Sequence, residues 1–379
     1  MTGALPLREW RSRVVMPRLN HPDYALLSAV VGLVSLGIVM VFNASYFPAQ
    51  ERAGYPLYFF YKHLISIGFG VVLLAILSQV RLEVFERAAW PLLALAIILL
   101  AVVLVPGIGV VRNGARRWLA LGGFSFQPAE LAKIAVILYL ATSIARKQQR
   151  MSSLVFGVMP HLLVVGVCAA LIVRQPDFGS SAILSLTMLA MLYVGGVRSA
   201  HLGALGGLFV AAVIAAVIIS PYRMVRFTTF LDPWSDPRGP GFQLVQSYIA
   251  FGSGGLVGAG LGASRQKMFY LPEAHTDFIL PVVGEELGFL GIVLVVALFA
   301  IVGMRGFRIA MRHPDPFGSI LAFGITANLM ISAVVNACVV LGLLPTKGLP
   351  LPFLSYGGTA MIFTLAQVGI LSSLSRTTG

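Results

Sequence analysis

The feature that most constrains this chain is a series of apolar runs, each about 20 residues long and bounded by short polar breaks. A run of that length crosses the ~30 Å hydrocarbon layer as a helix. In lipid only helices and closed barrels satisfy their own backbone N–H and C=O groups. The runs fall at 24–47, 57–78, 89–105, 127–145, 154–173, 179–197, 201–220, 278–304, 317–342 and 357–375. The expected fold is an all-α integral membrane protein with about ten transmembrane helices. Residues 1–23 read as a polar tail, 24–375 as one polytopic domain and 376–379 as a second tail. The one long connection, 221–277, lies between spans seven and eight.

Composition agrees. Residues are 58% hydrophobic and 11% charged, against about 25% charged in soluble domains. The net charge of +13 does not point to nucleic acid, because no basic stretch lies outside the membrane pattern. In such a chain Lys and Arg report orientation and headgroup contact. Arg8, Arg11, Arg13, Arg18, Arg81, Arg87, Arg146, Lys147, Arg150, Arg198, Arg305, Arg308, Arg312 and Arg376 fall on one side of the alternating pattern. That side is expected to be the cytoplasm, with both termini in it and loop 221–277 outside. The first apolar run is too long for a cleaved leader, so it reads as a permanent span. Cys168 and Cys338 sit in apolar runs and behave as small hydrophobes. Signatures for P-loop nucleotides, dinucleotides, HExxH zinc or CxxC pairs are missing.

The acidic residues gather toward the outer span ends, and the densest cluster is 265–288, with Glu273, His275, Asp277, Glu285 and Glu286. Ionisable groups at a membrane border are costly and mark candidate functional sites. Asp277, at the mouth of span eight, is the best-placed base; the alternative is a helix N-cap. If span eight runs from Thr276 or Asp277, Gly284 and Gly288 lie on Asp277's face. Glu285 then lies to one side, and Glu286 points away in a structural role. Glu130 and Lys133 share one face of span four at i and i+3: they line a wet cavity or form an internal ion pair. Asp177, in RQPDFG, is an N-cap, a site residue, or both. Arg116-Arg117-Trp118 suits a lipid pyrophosphate through the guanidinium forks, or an interfacial anchor. The Gly-interrupted stretch 248–262 reads as a short or re-entrant segment lining a cavity. Lys347, in PTKGLPLPFLSYGG, can act as a point charge on phosphate.

Taken in order, NGARRWLALGGFSFQPAELAKIA, QPDFGSS, FYLPEAHTDFI…GEELGFLG and LLPTKGLPLPFLSYGG resemble the SEDS family (shape, elongation, division and sporulation) from about Asp23 to Ser375. PTKGLP and LPEAHTDF are more similar to its division branch, FtsW, than to its elongation branch, RodA. Two places depart from the family pattern. Leu280-Pro281 replaces Phe-Ala, which puts the start of span eight in question, and Thr359-Ala360 replaces Ser-Ser.

The resemblance implies polymerisation of peptidoglycan glycan strands from lipid II on the outer face of the bacterial cytoplasmic membrane, at the division septum. It implies a class B penicillin-binding protein transpeptidase as partner, beside other divisome membrane proteins. Asp277 falls on the family's catalytic aspartate, Trp118 on its functionally important tryptophan, and Glu130 and Lys133 on its buried charged pair. The acceptor sugar 4-hydroxyl then loses its proton to Asp277 and attacks the anomeric carbon of the growing chain, with inversion, releasing undecaprenyl pyrophosphate. Candidates for contact with the lipid-linked substrate are Arg116, Arg117, Trp118, Glu130, Lys133, Asp177, His275, Glu285, Lys347 and Ser355. Arg116, Arg117, Lys133 and Lys347 are the cations for the departing pyrophosphate, and a divalent cation, Mg2+ or Mn2+, is an open alternative for part of that charge. Two rival classes remain: a lipid II flippase, against which the one-sided charges argue, and a non-catalytic scaffold, which leaves Glu130, Lys133 and Asp277 unexplained.

Overall fold

The computed structural model describes residues 21–112, 114–122, 124–264 and 271–377. The Arg-rich tail before residue 21 and the start of the acidic cluster, 265–270, lie outside the described residues.

Three helices open the fold: α1 (Tyr24–Ala53), α2 (Tyr58–Leu77) and α3 (Leu82–Val102). A three-stranded antiparallel sheet follows: β1 (Gly109–Arg112), β2 (Ala115–Leu121) and β3 (Phe124–Phe126), in the order β1-β2-β3. Next come α4 (Pro128–Arg146), α5 (Met159–Arg174), α6 (Phe178–Val194) and α7 (Ser199–Ile218). The long connection folds into α8 (Pro221–Leu231) and α9 (Phe242–Gly254), and α10 (Ile279–Arg312), α11 (Pro316–Val340) and α12 (Gly358–Thr377) complete the chain. Among the described residues nine helices are long and apolar enough to cross a membrane. With the shorter apolar α6, of 17 residues, the apolar helices number ten among the described residues.

Local chemistry sets the boundaries. Asp23 caps α1 by accepting from Leu26 N at 3.0 Å, and Asp315 caps α11 by accepting from Gly318 N at 3.0 Å. Pro128 and Pro316 open α4 and α11, where a missing N–H costs nothing. Pro281 sits in the first turn of α10, so the helix tolerates it and starts at Ile279.

α4 is the axis of the bundle. Every residue from Pro128 to Ile144 is buried, against α3, α6, α11 and α12. α7 is the opposite case, with Leu205 its one buried residue, so it faces lipid. At one end of the bundle Asp23 N donates to Ser375 Oγ (3.1 Å), Arg305 Nε to Asp23 Oδ1 (2.9 Å), and Ser373 Oγ to Val80 O (2.7 Å). The sheet, α8, α9 and the segments 271–278 and 343–357 crown the other end.

The Gly-rich connection between α3 and α4 forms the small sheet. One expectation changes. Span eight is not one continuous helix: Gly288 breaks α10, with φ 67° and ψ −163°, a conformation essentially confined to glycine. The opened turn pairs with the chain after α9. Ala259 N donates to Glu285 O (2.9 Å), Gly260 N to Glu286 O (3.1 Å) and Phe289 N to Gly255 O (2.9 Å). A Cβ at Gly258 or Gly288 would collide with the facing backbone.

Candidate active site

The sheet-capped end brings together side chains that lie far apart in sequence. Asp177 caps α6, as its N-cap reading expects: Oδ1 accepts from Ser180 N at 3.1 Å, and Oδ2 from Ser180 Oγ at 2.8 Å and Gln127 Nε2 at 3.2 Å. Arg117 on β2 clasps the turn before it, donating to Gln175 O (3.1 Å) and Pro176 O (2.6 Å). The 345–358 segment passes over α6 and sets Lys347 Nζ 4.5 Å from the Phe178 ring centre. Arg223 of α8 approaches the same ring at 5.4 Å, and Arg226 Nη1, one turn on, donates to Thr346 O at 3.0 Å.

Asp277 stands beside this group, in the segment that precedes α10. It does not cap that helix: Phe278 holds the cap position without a side-chain bond. A Cβ at Gly348 would fall 2.9 Å from Asp277 Oδ2, so glycine there leaves room for the carboxylate. Each loop also holds a left-handed non-glycine residue, Glu273 (φ 55°) and Phe353 (φ 67°). Such strain costs about 1–3 kcal/mol per residue and persists only where surrounding packing enforces it.

The electrostatics follow from this enclosure. Asp277 keeps a strip of accessible surface yet is hemmed in by protein, and burial first, then Glu273 and Asp177, push its carboxyl up to about 7. Arg117 and Arg226 pull in the other direction. Burial, reinforced by Arg226, Arg223 and Arg117 against the pull of Asp177, brings Lys347 down to about 8. The site thus holds a base poised near neutrality beside four cations.

The remaining candidates lie elsewhere. Arg116 and Arg117, consecutive on β2, reach different partners: Arg116 Nη1 donates to Leu104 O (3.1 Å), just past the end of α3, whereas Arg117 holds the turn before α6. A bulge in the β1–β2 register pairs Val110 with Trp118 and Val111 with Arg116, leaving Arg117 as the extra residue between them. Lys133 Nζ lies 2.8 Å from Glu130 Oε1, with side chains 9% and 6% exposed, inside α4 one turn below Gln127. His275 is 2% exposed and packs on Phe59 (4.8 Å) and Tyr356 (5.7 Å); burial first holds its imidazole down at about 4, while its carbonyl accepts from Tyr356 N at 2.9 Å. Glu285 accepts from Ser264 Oγ, Glu286 Oε2 from Asn43 Nδ2 (3.0 Å), and Ser355 Oγ from Leu351 N (2.8 Å). Thr359, where the family pattern has Ser, keeps the hydroxyl: it donates to Ser125 O at 2.8 Å. Sequence reasoning missed Gln127, Arg223, Arg226 and Asn336. The i, i+3 spacing of Arg223 and Arg226 was the available signal. Among the described residues no three His, Cys, Asp or Glu converge to hold a metal ion by themselves.

Comparison with known proteins places this geometry in context. Residues 24–379 match the FtsW/RodA/SpoVE family model, described as cell cycle protein. The chain is 45% identical over 358 residues to a probable peptidoglycan glycosyltransferase FtsW from Trichlorobacter lovleyi, covering 94% of each. It is 41% identical over 357 residues to stage V sporulation protein E of Bacillus subtilis, covering 94% of this chain and 98% of the relative. Its fold is similar to a chain in a peptidoglycan synthase complex that coordinates polymerization and crosslinking, with TM-score 0.76, 31% identity and coverage of 94% and 98%. It is also similar to the rod shape determining protein RodA of Thermus thermophilus, with TM-score 0.70, 28% identity and coverage of 94% and 97%.

Proposed function

The chain belongs to the FtsW/RodA/SpoVE family, and from that premise we propose that it is a peptidoglycan glycosyltransferase that polymerises glycan strands from lipid II with Asp277 as its general base. The observation that carries the assignment is the enclosed Asp277 carboxyl, held near 7 against Gly348 and facing Arg117 and Arg226, with Lys347 and Arg223 in the same cluster of cations. Asp277 takes the proton of the acceptor 4-hydroxyl while that oxygen bonds to the anomeric carbon of the growing chain. The bond from that carbon to undecaprenyl pyrophosphate breaks, and its electron pair leaves on the pyrophosphate oxygen. The four cations oppose the charge that develops there. Lys133, paired with Glu130 inside α4, and Arg116, turned to Leu104 O past the end of α3, stand apart from this group. Asp277 and Asp177 are the carboxylates that would hold a divalent cation jointly with the substrate phosphates. That ion would add positive charge to the same task.

The similarity to a chain of a synthase complex supports a crosslinking partner, a class B penicillin-binding protein transpeptidase, within a divisome of other membrane proteins. The FtsW names of the relatives favour the division branch. The asymmetry of basic residues supports a bacterial cytoplasmic membrane location with the Asp277 end outside, termini inside, and use at the septum. Cysteine introduced at Ser235 reacts with an impermeant thiol reagent in intact spheroplasts if this orientation is right; labelling only after lysis reverses it.

The deciding experiment compares wild type with Asp277→Asn in gel-resolved polymer formation from labelled lipid II with the cognate transpeptidase present. Loss of a general base slows turnover about 10²–10⁴-fold, or about 3–5 kcal/mol of barrier, with expression, folding, partner binding and lipid II binding retained. Wild-type polymer from well-folded Asp277→Asn rejects the base assignment. A wild-type protein that makes no polymer but moves lipid II across vesicles is a transporter instead.

A further inference from the structure

The bundle end opposite Asp277 carries a cavity that glycosyl transfer leaves unused. It is a half-open hollow of about 460 Å3 between α3, α4 and α5. Helix irregularities account for it. Pro91 lies inside α3 next to Trp90, and α5 begins with Pro160 after a π-wound turn at Leu154–Val158. Proline removes a helical N–H and pushes the preceding turn aside, and a π-wound turn alters the helix register. Irregular walls at one depth leave a gap that regular helices would close.

The walls are chemically divided. The Trp90 indole is 54% exposed and meets Tyr139 edge-on at 5.0 Å and 76°. With Leu163, 67% exposed, and Val164 it makes an apolar wall open toward the membrane. Arg146 and Lys147 contribute to the same lining. Arg146 spends Nε (3.1 Å) and Nη2 (2.9 Å) on Glu86 Oε1. Lys147 is half-buried and makes no ion pair among the described residues. A cation withdrawn from water beside an apolar wall favours an anion that brings its own apolar body. The surroundings share the sign: Arg81, Arg87 and Arg150 also lie at this end, against Glu83 and Glu86.

We propose that this cavity binds one anionic phospholipid of the adjoining leaflet, its head-group phosphate at Lys147 and the outward face of Arg146, its acyl chain along Trp90, Leu163 and Val164. Basic pockets between membrane helices take anionic head groups in this way. A free phosphate would use the cation but leave the apolar wall wet. A zwitterionic lipid would use the wall but bring a second cation to Lys147.

Native mass spectrometry of the full-length protein tests the site, with phosphatidylglycerol or phosphatidylcholine supplied at equal concentration and a thermal melt beside it. The expected result is one phosphatidylglycerol retained at least five-fold over phosphatidylcholine, lost in Lys147→Glu and kept in Arg198→Glu, a charge change at the same end, at the N-cap of α7. Where Lys147→Glu does not fold, Lys147→Gln reads the same loss. Equal retention of both lipids, undiminished phosphatidylglycerol on the folded Lys147 variant, or equal protection by inorganic phosphate alone overturns the proposal.

Discussion

The side-chain amide of Asn336 holds the main chain of Asp277: its Nδ2 donates to Asp277 O at 2.9 Å and also to Leu349 O at 2.6 Å. One buried group on α11 thus ties the segment carrying Asp277 to the segment carrying Lys347, while its own Oδ1 finds no partner. Replacement by Leu leaves two carbonyls without their donor, at about 1–3 kcal/mol for each that stays dry. The expected outcome for Asn336→Leu is a 10–100-fold lower kcat for glycan polymerisation with the KM for lipid II little changed, because the amide acts on the placement of the base. Steady-state kinetics at several lipid II concentrations, read beside a thermal melt, check this. An unchanged kcat in the folded variant means the two segments hold their geometry without Asn336.

The pH profile follows from the same pair of segments. Asp277 must be deprotonated to act, so the rate rises as pH passes about 7, and it falls as Lys347 loses its proton above about 8. Glu273 is the strongest charge raising Asp277, so Glu273→Gln moves the acid limb to lower pH. Stability moves the other way. The folded protein keeps on Asp277 a proton that the unfolded chain, with an ordinary carboxyl near 3.8, has already released. Stability therefore falls as pH rises from about 4 to about 7. Asp277→Asn should melt above wild type at pH 8 and close to it at pH 4. Coincident melting curves at pH 8 would contradict the raised carboxyl.

Glu130 and Lys133 give a third expectation. Removing one member of a buried ion pair leaves an uncompensated charge and costs about 3–5 kcal/mol, whereas replacing both with neutral groups of similar size can be nearly neutral. Glu130→Gln should melt well below wild type, and Glu130→Gln with Lys133→Met should recover most of the loss. Polymerisation by the recovered double variant decides the pair's role. Absent activity favours contact with the lipid-linked substrate; full activity leaves the pair to helix packing alone.

The ten crossings were legible because hydropathy over 20 residues is a strong, local signal. Their ends were less so. α3 begins at Leu82, ahead of the expected residue 89, because its first turns carry Glu83, Glu86 and Arg87 and read as loop. The sheet was hidden by its own turn residues, since Gly114 and Gly122 (φ 73° and 50°) make NGARRWLALGG look irregular. The break at Gly288 was hidden by chemistry it shares with tight helix packing: Gly284 and Gly288 fit a small-residue stripe equally well. Asp177, Asp277 and Lys347 were visible as charges against apolar runs. Arg223 and Arg226 were not, because in a long loop they read as orientation signals.

The chain order of the candidate site sets when it comes into being. Arg117 and Asp177 leave the ribosome early, Asp277 after a further hundred residues, and Lys347 only with the turn that leads into the last helix, α12. The amide that joins the late pieces, Asn336, comes from the ninth crossing. A nascent chain with eight crossings inserted therefore carries its carboxylate without Lys347 and without the clamp that orients it. Membrane insertion must run nearly to completion before this arrangement exists, so a stalled or truncated product is silent by construction.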